Sequence, residues 1–106
     1  MSEDKTLIPE EARCTPDIDC VLLTAWPSYR SHIVRLTAEE KGIKWKHFRV
    51  DIHSALTQLE PWYISINPGA YVPTMLVNPN NTPVCESQVI MMHIENNFEG
   101  KVKLLP

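Results

Sequence analysis

Asn67-Pro-Gly-Ala-Tyr-Val-Pro-Thr-Met-Leu-Val77, a polar turn over 78–82, and then Pro83-Val-Cys-Glu-Ser-Gln-Val-Ile-Met-Met-His-Ile-Glu95 is the stretch whose reading decides the fold. A loop ends in a Val-Pro step, and Thr74 to Val77 follows as a strand. Asn78 to Thr82 has turn chemistry, and Pro83 to Cys85 reads as a second strand. The pair Glu86-Ser87 opens a helix that the pattern carries to about Phe98, with Gly100 closing it. If the two strands form a hairpin, the Val-Pro step and the helix start come to the same edge of a sheet. The product is a backbone-lined slot beside a helix N-terminus, suited to a small peptide-like ligand that carries a carboxylate.

The rest of the chain supports that slot. Its 106 residues amount to one domain. Hydrophobic content of 43% and charged content of 22% are ordinary for a globular protein. A net charge of -3 gives no electrostatic case for nucleic acid. No run approaches the ~20 apolar residues of a membrane span, and Met1 to Glu11 is too acidic for a signal peptide. Cys14, Cys20 and Cys85 are read as reduced thiols of an intracellular, cytoplasmic protein, because their number is odd and no C-x-x-C occurs. His32, His47, His53 and His93 stand singly, so no metal is expected.

Residues 1–19 are polar and Pro-containing, and are expected to form a flexible tail ahead of a domain over 20–106. Cys20 to Ala25 is a continuous apolar run that fits a strand covered on both faces. Trp26-Pro27-Ser28-Tyr29 breaks it. A helix is expected from about Ser31 to Lys41, with Ile33, Val34, Leu36, Thr37 and Ala38 inward, Arg35 and Glu39 to Lys41 outward or terminal, and Gly42 as its stop. Trp45 to Asp51 alternates as a strand, with Trp45, His47 or Phe48, and Val50 competing for the inner face. Strand, helix and strand in about 30 residues make a βαβ unit with a right-handed crossover. Pro61 suits the first position of a short helix to Ile66, which Asn67-Pro68-Gly69 ends. The order βαβ, α, ββα predicts an α/β protein of thioredoxin-like fold, a four-stranded mixed sheet with helices on both faces. Val89, Ile90, Met91, Met92, Ile94 and Phe98 cover more than one face of the last helix, which predicts a partner against it, either a downstream domain or another subunit.

These residues carry a resemblance. Trp26-Pro-Ser-Tyr-Arg-Ser-His-Ile-Val-Arg-Leu36, Glu40-Lys-Gly-Ile43, Asn67-Pro68, Val72-Pro73 and Glu86-Ser87 are similar to the N-terminal thioredoxin-fold domain of the glutathione transferase superfamily. Glu60-Pro-Trp-Tyr63, Cys85-Glu86, Ile94-Glu-Asn-Asn-Phe98 and Leu104-Leu-Pro106 resemble the ganglioside-induced differentiation-associated branch. Trp26-Pro27-Ser28 looks like plant tau-class enzymes, and position 28 also aligns with the cysteine of omega-type ones.

The resemblance implies glutathione as ligand and co-substrate. It implies Ser28 as the hydroxyl that stabilises the thiolate, with Tyr29 and Ser31 as alternatives; the family has Pro where Tyr29 stands. A cis Val72-Pro73 would present the Val72 backbone to the cysteinyl part of the ligand. Glu86 and Ser87 would hold the γ-glutamyl end, and His53 is a candidate for the glycyl carboxylate. It also implies a C-terminal helical domain outside this chain, without which transferase activity is expected to be weak or absent. Three functions are weighed: a glutathione-binding transferase domain, a non-catalytic interaction module docking through its apolar helix, and a thiol oxidoreductase, which the lack of Cys at position 28 disfavours. The ganglioside-induced branch would put a longer protein at the cytosolic face of the mitochondrial outer membrane.

Overall fold

A computed structural model of the chain describes residues 8–25 and 28–97. The expected Trp26-Pro27 break, the helix end at Phe98 to Gly100 and the tail over 101–106 lie outside the described residues. The elements are β1 (Cys20–Thr24), α1 (Tyr29–Lys41), β2 (Trp45–Arg49), α2 (Pro61–Ile66), β3 (Thr74–Val77), β4 (Thr82–Cys85) and α3 (Ser87–Asn97). The sheet order is β2-β1-β3-β4, with β1 and β2 parallel and the β1–β3 and β3–β4 pairs antiparallel. This is the thioredoxin-like architecture that the element order predicts.

Every residue of β1 is buried, because the sheet is covered on both sides. Val21 and Leu23 pack with Val50, Trp62, Tyr63 and Leu76 on one face. Cys20 and Leu22 pack with Val34, Ala38, Met75, Ile90 and Ile94, which belong to α1, β3 and α3, on the other. Strand parity resolves the competition in β2. Phe48 joins the first cluster, while Trp45 packs against the second and lies edge-on to His47.

Three segments differ from the sequence reading. Residues 8–19 pack against the sheet where a flexible tail is expected. Ile8 is 0% exposed, and with Ala12 it joins the cluster around Trp62 and Tyr63. The segment is pinned at both sides: the Cys14 N–H donates to Asn81 Oδ1 at 2.7 Å, and Lys46 Nζ donates to the Arg13 carbonyl at 3.0 Å. The physical reason is the shortness of α2. Six residues do not cover this sheet face, and Ile8 and Ala12 fill the remainder. Second, α1 begins at Tyr29, not Ser31, because Ser28 caps it. Third, Leu36 is 50% exposed, whereas Lys41 is buried and paired with Glu95 at 3.4 Å, tying the end of α1 to α3. Gly42 ends α1 at φ 76, its N–H reaching the Ala38 and Glu39 carbonyls, as the sequence predicts. On α3, Ile90 and Ile94 are fully buried, while Val89 and Met92 are 51% and 54% exposed.

Strand register decides what meets at one end of the sheet. Thr74, the first residue of β3, pairs with Leu23 near the end of β1 and with Cys85 at the end of β4. Ser28, Val72 and Glu86, each a few residues beyond those ends, therefore follow from the same end of the sheet.

The loop before β3 is set by a buried polar network. The Tyr63 hydroxyl donates to the Tyr71 carbonyl at 2.6 Å and lies 2.9 Å from Thr74 Oγ1. Asn67 Nδ2 lies 2.9 Å from both the Tyr71 carbonyl and Thr74 Oγ1. Asn67 has two amide protons and Tyr63 one, so Thr74 must accept from Asn67 and donate to Tyr63. Asn67 Oδ1 accepts from the Gly69 N–H at 3.2 Å. Burial pushes the Tyr63 phenol up to about 12, which keeps it a donor.

This packing sets two expectations for stability. Ile8→Ala is expected to lower unfolding free energy by about 2–5 kcal/mol in a urea titration; a loss under about 0.5 kcal/mol would mean that the segment is not docked. Tyr63→Phe is expected to cost about 1–3 kcal/mol, because the buried Thr74 hydroxyl loses its acceptor. A neutral Tyr63→Phe would rule out the network as drawn.

Candidate functional site

Ser28 precedes the first turn of α1 in extended conformation, φ -84 and ψ 122. Its Oγ accepts from the Ser31 N–H at 3.1 Å. A hydroxyl has one proton and two lone pairs, so capping leaves the Ser28 proton available to donate outward. The helix start adds partial positive charge. Tyr29 is 76% exposed and projects from the first helical position. Ser31 is fully buried, and its Oγ accepts from the Ala25 N–H at 3.2 Å, tying α1 to the end of β1. Of the three hydroxyls considered for the thiolate, Ser28 is thus the half-buried one, between an exposed Tyr29 and a fully buried Ser31.

Val72-Pro73 is a cis peptide, as is Asn78-Pro79, which the sequence reading does not single out. Val72 is half-buried, and the next two residues are buried. Among the described residues, neither its backbone N–H nor its C=O hydrogen-bonds to another protein group. The peptide before it is fixed, since the Tyr71 carbonyl accepts from both Tyr63 and Asn67. The edge that Val72 presents is therefore held from behind.

Glu86 caps α3, its carbonyl accepting from the Ile90 N–H at 2.9 Å. It does so at φ 77, in the left-handed region that a non-glycine residue rarely adopts. Ser87 is the first helical residue. The opening N–H groups of a helix have no intrahelical acceptor, so the start of α3 attracts an anion. A surface cavity of about 300 Å³ opens there, lined by Arg30, Glu86, Ser87, Gln88 and Val89.

Two residues at this edge carry no role in the sequence reading. Arg30 sits in the first turn of α1 and lines the cavity at the start of α3. Only the side-by-side packing of the two helices reveals it, and no local pattern encodes that packing. Tyr71 precedes Val72 and covers Gly69 so closely that a Cβ there would meet its ring at 2.3 Å. Burial, then the nearby Glu86 carboxylate and Cys85, push the Tyr71 phenol up. The Val-Pro motif marks its position but not its nearness to the Glu86 charge.

His53 is exposed in the turn after β2, where its N–H donates to Asp51 Oδ1 at 3.1 Å. Among the described residues, no hydrogen bond or ion pair links its side chain to the cavity. Burial raises the thiol of Cys85, whose Sγ donates to the Ile66 carbonyl at 3.4 Å, and raises that of Cys14. Burial pushes Cys20 to about 12. Thiols held protonated are poor nucleophiles. Among the described residues, no group of three His, Cys, Asp or Glu side chains is placed to hold a metal, and no helix is long and apolar enough to cross a membrane.

Comparison with known proteins agrees with this geometry. Residues 27–97 match the family described as glutathione S-transferase, N-terminal domain. Glutathione S-transferase U25 of Arabidopsis thaliana is 30% identical over 89 residues, covering 83% of this chain and 38% of that protein. Among solved structures, the β-etherase LigF of Sphingobium sp. superposes with a TM-score of 0.74 at 30% identity, over 84% of this chain and 36% of that one. A maleylacetoacetate isomerase of Methylobacterium extorquens, solved with malonate and glutathione bound, gives 0.73 at 30% identity over 81% and 39%. The chain spans about 38% of the length of the curated relatives it matches. On the strength of the family match across most of its length, the chain belongs to the glutathione S-transferase family as an N-terminal, thioredoxin-like domain.

Proposed function

We propose that this chain is the glutathione-binding part of a glutathione transferase-like protein and that it activates the glutathione thiol. The observation that carries the reading is the strand register at one end of the sheet, where Thr74 pairs with Leu23 and with Cys85. A few residues beyond those three come, respectively, an unpaired backbone at Val72, a hydroxyl with a spare proton at Ser28 and an anion-attracting helix start at Ser87. Glutathione is a short peptide with a thiol between two acidic ends, which matches that set in order. Its cysteinyl backbone would pair with Val72 as one more strand. Its γ-glutamyl carboxylate would meet Ser87 and its ammonium Glu86. His53 is the candidate for the glycyl carboxylate.

Ser28 would donate its hydroxyl proton to the sulfur anion. A charge-assisted hydrogen bond of this kind, with the α1 dipole, favours thiolate over thiol. The thiolate is the nucleophile, forming a carbon–sulfur bond to an electrophile as the leaving group departs with its electron pair. In the whole protein the electrophile would be held by a helical domain beyond this one, so this chain alone should turn over slowly or not at all. A binding module without chemistry is the second reading, and the exposed Val89 and Met92 on α3 favour it. Thiol oxidoreduction is disfavoured, since Ser occupies position 28 and all three cysteine thiols are raised.

Two measurements separate these readings. Calorimetric titration with millimolar glutathione should give heat of binding, and its absence would remove the main proposal. Ser28→Ala should leave glutathione binding nearly unchanged and abolish the ultraviolet thiolate absorbance of the bound ligand. It should also lower stability by about 1 kcal/mol through loss of the α1 cap. Stability loss with the thiolate signal intact would leave Ser28 a cap and nothing more.

A further inference from the structure

Residues 8–19 lie ahead of the stretch that matches the family, yet they are built into the core beside Val72. Ile8 and Ala12 are fully buried in one cluster with Trp62, Tyr63 and Ile66 of α2, and Val72 packs against that same cluster. Tyr63 belongs to the cluster and also to the hydrogen-bond network, since its hydroxyl donates to the Tyr71 carbonyl. Ile8, α2 and the peptide just before Val72 thus share one packed unit. On its outer side the segment is held by polar ties at partly buried or exposed positions. The Cys14 N–H donates to Asn81 Oδ1, Lys46 Nζ to the Arg13 carbonyl, and Asn78 Nδ2 to the Ile18 carbonyl at 2.8 Å. Such ties open more readily than the fully buried ladder of β1.

The six residues of α2 are too few to form a stable helix without tertiary packing. Lifting Ile8 and Ala12 removes part of that packing. The Tyr63 hydroxyl, and with it the peptide between Tyr71 and Val72, then loses its fixed position. We propose that residues 8–19 form a strap whose docking organises the Val72 backbone for its ligand, with Ile8 as the positioning residue that couples the two. The inference rests on the glutathione reading above and adds to it a second state, with the strap undocked, that binds glutathione more weakly. Reciprocity follows. By whatever factor strap docking raises glutathione affinity, bound glutathione favours strap docking.

The test reads the coupling in both directions. Glutathione is titrated by amide NMR into the wild-type chain, I8A, I8V and I94A, the last of which truncates the cluster on the opposite face of the sheet. I8A is expected to bind about tenfold more weakly than wild type, a usual size for coupling between two sites. I8V should lie between them, and I94A should bind as wild type does. An I8A variant that keeps wild-type affinity overturns the proposal. So does an I94A variant that weakens binding as much, since the effect would then be one of stability alone. The wild type supplies the second arm, independent of how any variant folds. The amides of Ala12, Arg13 and Cys14 donate to the Pro9 carbonyl, the Glu10 carbonyl and Asn81 Oδ1, so their hydrogen exchange reports the docked strap. They are expected to exchange faster than the β1 amides, and saturating glutathione should slow them about tenfold. Exchange at the β1 rate would mean that no separate undocked state exists, and exchange unchanged by glutathione would mean that no coupling does; either overturns the proposal. A wild type that does not bind glutathione removes the glutathione reading and this inference together. Glutathione binding that leaves the strap amides unprotected removes this inference alone.

Discussion

The four hydrogen bonds that join Tyr63, Asn67 and Thr74 to each other and to the Tyr71 carbonyl are the constraint on which the site depends. Every proton in the set has an acceptor, and each side chain is buried. Such a network is costly to leave half-made and therefore specifies one arrangement. It joins α2, the loop after it and the first residue of β3. The Val72 edge is consequently attached to the core rather than to a free loop. The chemistry proposed for the site needs that rigidity, because a strand-like reader works only if its N–H and C=O stay in register.

The two helix starts also combine structural and binding roles. Ser28 caps α1 and Glu86 caps α3, and α1 and α3 cover the same face of the sheet. Their N-termini meet at one cavity, lined by Arg30 from α1 and by Glu86, Ser87, Gln88 and Val89 from α3. Capping and ligand binding draw on different atoms of the same residues. Ser28 uses a lone pair for the cap and retains its proton; Glu86 uses its carbonyl and retains its carboxylate. Arg30 enters this set only because the two helices lie side by side.

Much of this architecture is legible in the amino-acid sequence. Val72-Pro73 and Glu86-Ser87 flank a short hairpin, and a hairpin brings its two outer ends together whatever the core does. The apolar run of β1 and the Gly42 stop are equally local signals. What the sequence leaves hidden depends on contacts across the fold. Asn67 looks like loop punctuation beside Pro68 and Gly69, yet it is buried and holds three partners in place. Lys41 looks like an outward helix end but pairs with Glu95, 54 residues away in sequence. Ile8 is lost among polar neighbours, and only the gap left by a six-residue α2 explains its burial. Ser28 and Ser31 are indistinguishable as caps by residue type, since a serine at either position would serve.

The central claim is that the Val72 backbone, at one end of the sheet, reads glutathione as a strand while a helix start holds its glutamyl end. A crystal structure of the chain with glutathione tests it most directly. The account predicts the cysteinyl backbone hydrogen-bonded to the Val72 N–H and C=O, the glutamyl group against Ser87, and the sulfur facing the Ser28 hydroxyl. Glutathione bound elsewhere, or bound here with its sulfur turned away from Ser28 and its backbone out of reach of Val72, would contradict it.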